Sequence, residues 1–132
     1  MPSIFTRIVR GEIPCYKIAE NDDFLAFLDI NPLKKGHSLV IPKKEVDYIF
    51  DLDEDTLAGM TLFSKKVAHA IEKVVPCNRI GVVVLGLEVP HAHIHLIPID
   101  SEADVSFSNP RVKLSEEEFK NLAARISENM SP

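Results

Sequence analysis

The stretch Pro90-His91-Ala92-His93-Ile94-His95-Leu96-Ile97-Pro98-Ile99 sets three of the chain's five histidines at alternate positions and fills the gaps with Ala, Ile and Leu. Successive side chains of a strand point to opposite faces, so this spacing predicts a strand with His91, His93 and His95 on one face and Ala92, Ile94 and Leu96 on the other. The apolar face belongs to a core. A row of imidazoles in a dry core would leave ring nitrogens without partners, so the histidine face is expected to line a cleft.

Two chemistries suit such a row. Histidines at i and i+2 can grip one zinc ion, but a rise of about 3.3 Å per residue puts the Cα atoms of His91 and His95 roughly 13 Å apart. With zinc–nitrogen bonds of about 2 Å, those two rings do not easily share an ion, which leaves a site made of two of the row plus His37 or a carboxylate. In the other chemistry the middle imidazole attacks a phosphorus centre while a protonated neighbour donates to the departing atom. Like-charge repulsion then keeps the row in mixed protonation states near pH 7. A purely structural histidine strand is the third reading.

Outward from this stretch, Arg79-Ile80-Gly81-Val82-Val83-Val84-Leu85-Gly86 is a second apolar, β-branched run, expected to be its central-strand neighbour through the link Leu87-Glu88-Val89-Pro90. Residues 16–42 read as two or three short strands punctuated by Asn21-Asp22-Asp23 and Asn31-Pro32, an antiparallel meander closed by Pro42. Leu57, Met60, Phe63, Val67, Ile71 and Val74 recur at helical steps, with Asp53, Glu54 and Asp55 at the helix start and Pro76 as its stop. His69 falls on the polar side. Ser115 to Glu118 form a capping box, with Leu114 stapling onto Phe119, for a second helix whose apolar face is Phe119, Leu122, Ala123 and Ile126. The acidic stretch 101–104 reads as loop.

The 132 residues suffice for a single domain, and 45% hydrophobic with 27% charged residues is a globular balance. A net charge of −5, with basic residues clustered only in pairs, argues against a nucleic-acid surface. No apolar run approaches a membrane span or a leader peptide, and Cys15 and Cys77 lack metal or disulfide spacing, so the chain reads as cytoplasmic with free thiols.

His91-Ala92-His93-Ile94-His95 followed by Leu96-Ile97 resembles the signature of the histidine triad (HIT) nucleotide hydrolases and transferases. The blocks IFTRIVRGEIP (4–14), FLAFLDINP (24–32) and GHSLVIPKK (36–44) resemble those of its Hint branch in the same order. The resemblance covers residues 3–99. Residues 100–132 form a divergent tail with a helix near 115–129.

That resemblance implies an α+β fold with an antiparallel sheet of about five strands, one long central helix and a C-terminal helix, paired as a homodimer. It implies a purine nucleoside monophosphate derivative as substrate. His93 would form a nucleotidyl intermediate, His91 would assist the leaving group, His95 would contact phosphate, and His37 would complete the histidine network. Asp29 would accept from the ribose hydroxyls, Phe5, Ile8, Ile13, Phe27 and Ile30 would surround the base, and the Val89 backbone would face the phosphate. A galactose-phosphate transferase would carry Gln where His95 stands.

Two departures qualify the match. Gly86-Leu87-Glu88-Val89 replaces a Gly-Gln-Ser/Thr-Val run, so Glu88 either faces solvent or alters the leaving-group preference. Some bacterial relatives hold a structural zinc through a Cys-x-x-Cys and further histidines, but Ser3, Thr6 and Glu45 stand at the matching places, so no metal and no cofactor are expected. The competing function is a nucleotide-binding regulatory or interaction protein with weak or no catalysis.

Overall fold

The computed structural model describes residues 1–131. It contains helix α1 (Ile4–Val9), strands β1 (Lys17–Glu20), β2 (Phe24–Leu28) and β3 (Ser38–Pro42), helix α2 (Glu54–Glu72), strands β4 (Arg79–Val83) and β5 (Ile94–Ile99), and helix α3 (Glu116–Glu128). The strands form one five-stranded sheet in the order β1-β2-β3-β5-β4, antiparallel throughout. This is the expected α+β architecture.

Residue alternation divides the sheet into two faces. Phe24, Ala26, Leu28, Val40, Ile94 and Leu96 meet Met60, Val67 and Ile71 of α2 and Phe119, Leu122 and Ile126 of α3 in the main core. Each fully buried Leu or Ile there contributes roughly 1.5–3 kcal/mol. Leu25, Phe27, Leu39 and Ile41 point the other way, into a smaller cluster with Phe5 of α1. α1 covers only part of that second face.

The helix ends follow their local chemistry. The Asp53 carboxylate accepts from Thr56 N–H at the start of α2. Ser115 and Glu118 form the reciprocal capping box of α3, whose buried residues are the four expected. Ser3 caps α1, a helix the sequence reading did not identify, by accepting from Thr6 N–H.

Four expectations are corrected. β5 begins only at Ile94, so His91 and His93 precede it: Ala92 N–H donates to Val46 C=O and His91 N–H to Val89 C=O, which diverts this segment from the sheet ladder. β4 is an edge strand and not a central one, because β5 inserts between it and β3. α2 stops at Glu72, ahead of Pro76, where Val75 N–H turns back to Ile71 C=O at 2.8 Å. The acidic stretch also has more order than a loop: Glu102–Val105 is a 3-10 turn closed by a Ser101–Asp104 capping box.

Candidate functional site

The site is built around four imidazoles whose protons can be assigned from their partners. His37 follows Gly36, which has φ of 95°, and a Cβ added there would lie 2.9 Å from Val75 Cγ2. Glycine therefore makes the turn that delivers His37 to a fully buried position. Leu33 N–H donates to His37 Nδ1 at 3.0 Å, so the neutral ring carries its proton on Nε2. That Nε2–H donates to His95 Nδ1 at 2.9 Å. His95 in turn carries its own proton on Nε2.

Burial keeps both rings neutral. It lowers the His37 pKa to about 4, against the opposing attraction of Asp29 and with help from Arg111. Burial likewise takes His95 down to about 3, reinforced by the nearby charges that His37, His93 and Arg111 would present.

His93 has the opposite tautomer. Its Nδ1 lies 2.7 Å from the His91 carbonyl oxygen, which can only accept, so Nδ1 holds the proton and Nε2 keeps a lone pair. The His93 ring is 7% exposed, and the Phe5 ring packs edge-on at 5.0 Å and the His95 ring at 4.9 Å between centroids. A nucleophilic nitrogen thus stands beside a ring that offers an N–H. This is a pairing suited to displacement at an electrophilic, anionic centre.

His91 is placed differently from its expected role. It is fully buried. Nε2–H donates to the Pro42 carbonyl at 2.7 Å, and Nδ1 accepts from the Ser3 hydroxyl at 2.8 Å. Burial lowers its pKa, which favours the neutral ring, and both ring nitrogens are engaged in these bonds.

The expected base and ribose residues divide by position. Phe5 and Phe27 are buried with centroids 5.7 Å apart, and Ile8 and Val89 pack against the same cluster. Ile13 is half-buried in the loop after α1, while Ile30 is 73% exposed at the rim. Asp29 Oδ1 accepts from Asn31 N–H at 2.8 Å, and its Oδ2 lies 3.5 Å from His37 Nε2. The Val89 carbonyl is occupied by His91 N–H, and Glu88 is exposed, which answers the question of where its carboxylate points.

Several neighbours of the triad were not identified from sequence. Phe107, in the divergent tail, sets its ring edge-on to His95 at 4.9 Å. Arg111 lies 5.4 Å from the Phe107 ring centre and donates to the Asn31 carbonyl at 2.8 Å, fixing the tail beside Asp29. No sequence pattern marks this pair. Ser3, Thr6 and Glu45, which the sequence presents only as replacements for zinc ligands, converge on His91.

Metal chemistry has two places to be tested. At Ser3, Thr6, Glu45 and His91 the donors are two neutral hydroxyls, one carboxylate and one imidazole, bonded among themselves, a set that does not fit zinc's demand for thiolate and imidazole. Asp29, His37 and His95 bring donor atoms within 4.8 Å of one another. There the two imidazoles already share a proton, which an ion would have to displace.

A family model described as the HIT domain matches residues 10–102. The adenosine 5'-monophosphoramidase hnt1 of Schizosaccharomyces pombe is 39% identical over 130 residues, spanning 96% of this chain and 97% of that protein. A Hit-like protein involved in cell-cycle regulation from Bartonella henselae aligns with a TM-score of 0.83 at 32% identity, covering 97% of this chain and 96% of that one. A Zn-bound histidine triad family protein from Mycobacterium smegmatis gives 0.79 at 30% identity, with 95% and 93% covered.

Proposed function

The chain belongs to the histidine triad (HIT) family, and from that premise we propose that it hydrolyses purine nucleoside monophosphate derivatives, phosphoramidates or adenylylated compounds, through a nucleotidyl-His93 intermediate. The observation that carries this reading is the 2.7 Å approach of His93 Nδ1 to the His91 carbonyl oxygen, which puts the ring proton on Nδ1 and leaves Nε2 as the nucleophile. The name of the Schizosaccharomyces relative supports the substrate class.

In the first step Nε2 forms a bond to the α-phosphorus as the bond to the leaving group breaks, the departing nitrogen or oxygen taking a proton from solvent water. Water then breaks the phosphorus–nitrogen bond and releases the nucleotide. His95 Nε2–H donates to a phosphate oxygen, held in that tautomer by His37. His91 acts by position and not as the leaving-group acid, since both its nitrogens are engaged. Asp29 accepts from the ribose, and Phe5, Ile8 and Phe27 flank the base, with Ile13 and Ile30 at its edge.

The working unit we propose is a homodimer. The β4 edge, with Val82 64% exposed, continues into Leu85 and Leu87, and Tyr48 and Phe50 are exposed nearby, an apolar surface that suits a second copy. Among the described residues no helix is long and apolar enough to cross a membrane.

The test is brief mixing of the protein with an adenosine 5'-phosphoramidate, followed by intact mass spectrometry and steady-state assay of AMP release. A transient gain of one nucleotidyl group, lost together with turnover in His93→Ala, is expected. AMP binding with neither adduct nor turnover would instead establish the nucleotide-binding regulatory reading.

A further inference from the structure

His93 is oriented by a backbone carbonyl, so whatever fixes residue 91 also fixes the attacking nitrogen. The anchoring can be traced through short hydrogen bonds to residues far away in the chain. Glu45 Oε1 accepts both Ser3 N–H and the Thr6 hydroxyl, each at 2.6 Å. Thr6 N–H donates to Ser3 Oγ at 3.0 Å, and the Ser3 hydroxyl donates to His91 Nδ1 at 2.8 Å. Pro42, at the end of β3, holds the other nitrogen of His91, whose carbonyl then accepts His93 Nδ1–H.

We propose that Glu45, Ser3 and Thr6 are positioning residues for catalysis, which clamp the His91 ring in one tautomer and thereby aim His93 Nε2 at the substrate. The inference rests on the reading of His93 as the nucleophile. It assigns work to an exposed carboxylate at the end of the β3 connection and to the first residues of α1, none of which faces the reacting atoms.

Three physical points support the clamp. First, its bonds cross long stretches of chain, residue 3 to residues 45 and 91, so they fix the relative placement of three separate segments. Second, among the described residues no buried side-chain nitrogen or oxygen lacks a partner, so the hydroxyls and the imidazole of the cluster are all hydrogen-bonded. Third, the Ser3 backbone N–H, followed by the Thr6 hydroxyl, draws the Glu45 carboxyl down to about 2, which keeps it an acceptor across the physiological range. An acceptor-only carboxylate forces the Thr6 hydroxyl to point at it. The Ser3 hydroxyl, 3.3 Å from Thr6 Oγ1 and 2.8 Å from His91 Nδ1, then donates to the nearer acceptor, the imidazole.

The clamp needs an acceptor oxygen at Glu45 and not its charge. Glu45→Gln presents the same Oε1 to both donors, whereas Glu45→Leu presents none. The readouts are histidine ¹⁵N NMR at neutral pH, which reports the tautomers of His91 and His93, and kcat and KM with an adenosine 5'-phosphoramidate. With the Ser3 side of the clamp released the His91 ring can turn away from the Pro42 carbonyl, so Glu45→Leu is expected to mix the tautomers of both rings and to lower kcat about 10- to 100-fold, with KM within about 3-fold. Glu45→Gln is expected to restore both the spectrum and kcat.

If Glu45→Leu does not fold, Ser3→Ala removes the nearer of the two hydroxyls around His91 Nδ1 and takes its place, with the same shift expected. Wild-type tautomers in the folded acceptor-free variant would overturn the proposal. So would a fall in kcat with the spectrum unchanged, because the effect would then bypass the rings. Should the wild-type protein not turn over the phosphoramidate, the proposed hydrolysis fails, while the NMR comparison still decides the clamp.

Discussion

The two faces of the sheet are made from alternate residues of the same strands, yet they are finished differently. Phe24, Ala26, Leu28 and Val40 enter a core closed by α2 and α3 that holds 20 buried residues among those described, whereas Leu25, Phe27, Leu39 and Ile41 join Phe5 in a cluster of 5 under the short α1. The first face has enough apolar area to hold the fold. The second is smaller and carries the histidines. Strand alternation therefore separates stability from chemistry within a single layer.

The sharpest way to break this separation is at His93. His93→Ala is expected to lower turnover by about 10⁴-fold or more, as loss of a nucleophile does, while the unfolding free energy changes by no more than about 1 kcal/mol. A denaturant melt showing a loss of several kcal/mol would put His93 among the residues that hold the fold. Leu96, three residues on and buried on the helix-covered face, is the mirror experiment. Leu96→Ala is expected to cost about 3 kcal/mol in the same melt, with KM for the nucleotide substrate within about 2-fold where the variant is folded.

A third test uses pH, because the histidine face is held together by neutral rings. The folded pKa of His37 is depressed to about 4 from an ordinary 6.5. Its contribution to stability is therefore complete above pH 6.5 and lost as pH falls toward 4, since the unfolded chain takes up a proton that the folded chain refuses. Between pH 7 and 5, His37 alone should lower stability by on the order of 2 kcal/mol, and His95 shifts in the same direction. Urea melts across that range would read this slope, and a flat profile would contradict the neutral pair. The smallest effect is expected far from the site: Ser115→Ala should lose about 1 kcal/mol with turnover unchanged, because it removes only the α3 cap.

Much of this arrangement was legible in the sequence, for reasons that differ by element. The α2 stripe and the Ser115 capping box are local patterns, and local patterns report their own geometry. The triad's spacing announced the chemistry, but it also suggested a regular strand, because periodicity cannot register that Ala92 N–H bonds to Val46 and not to a neighbouring strand. The edge position of β4 depends on the insertion of β5, a choice made by the whole sheet. Phe107 and Arg111 reach the triad across a tail with no periodicity. The engagement of both His91 nitrogens depends on residue 3 meeting residue 91, a separation beyond any window of local reading.

The strand order also bears on how the protein is made. β3 is complete once Pro42 has been synthesised, but its second neighbour in the sheet, β5, starts at Ile94. On a ribosome that delivers the chain from its N-terminus, the Ser38–Val40 edge must wait through the synthesis of all of α2 and β4 before it is paired. During that interval an apolar strand edge is open to any other extended chain, and the loop closed by the β3–β5 pairing is among the slower events to form. The nascent protein thus carries this open edge until residues 93 and 95 arrive, and the pairing that covers it is the one that brings His95 to His37.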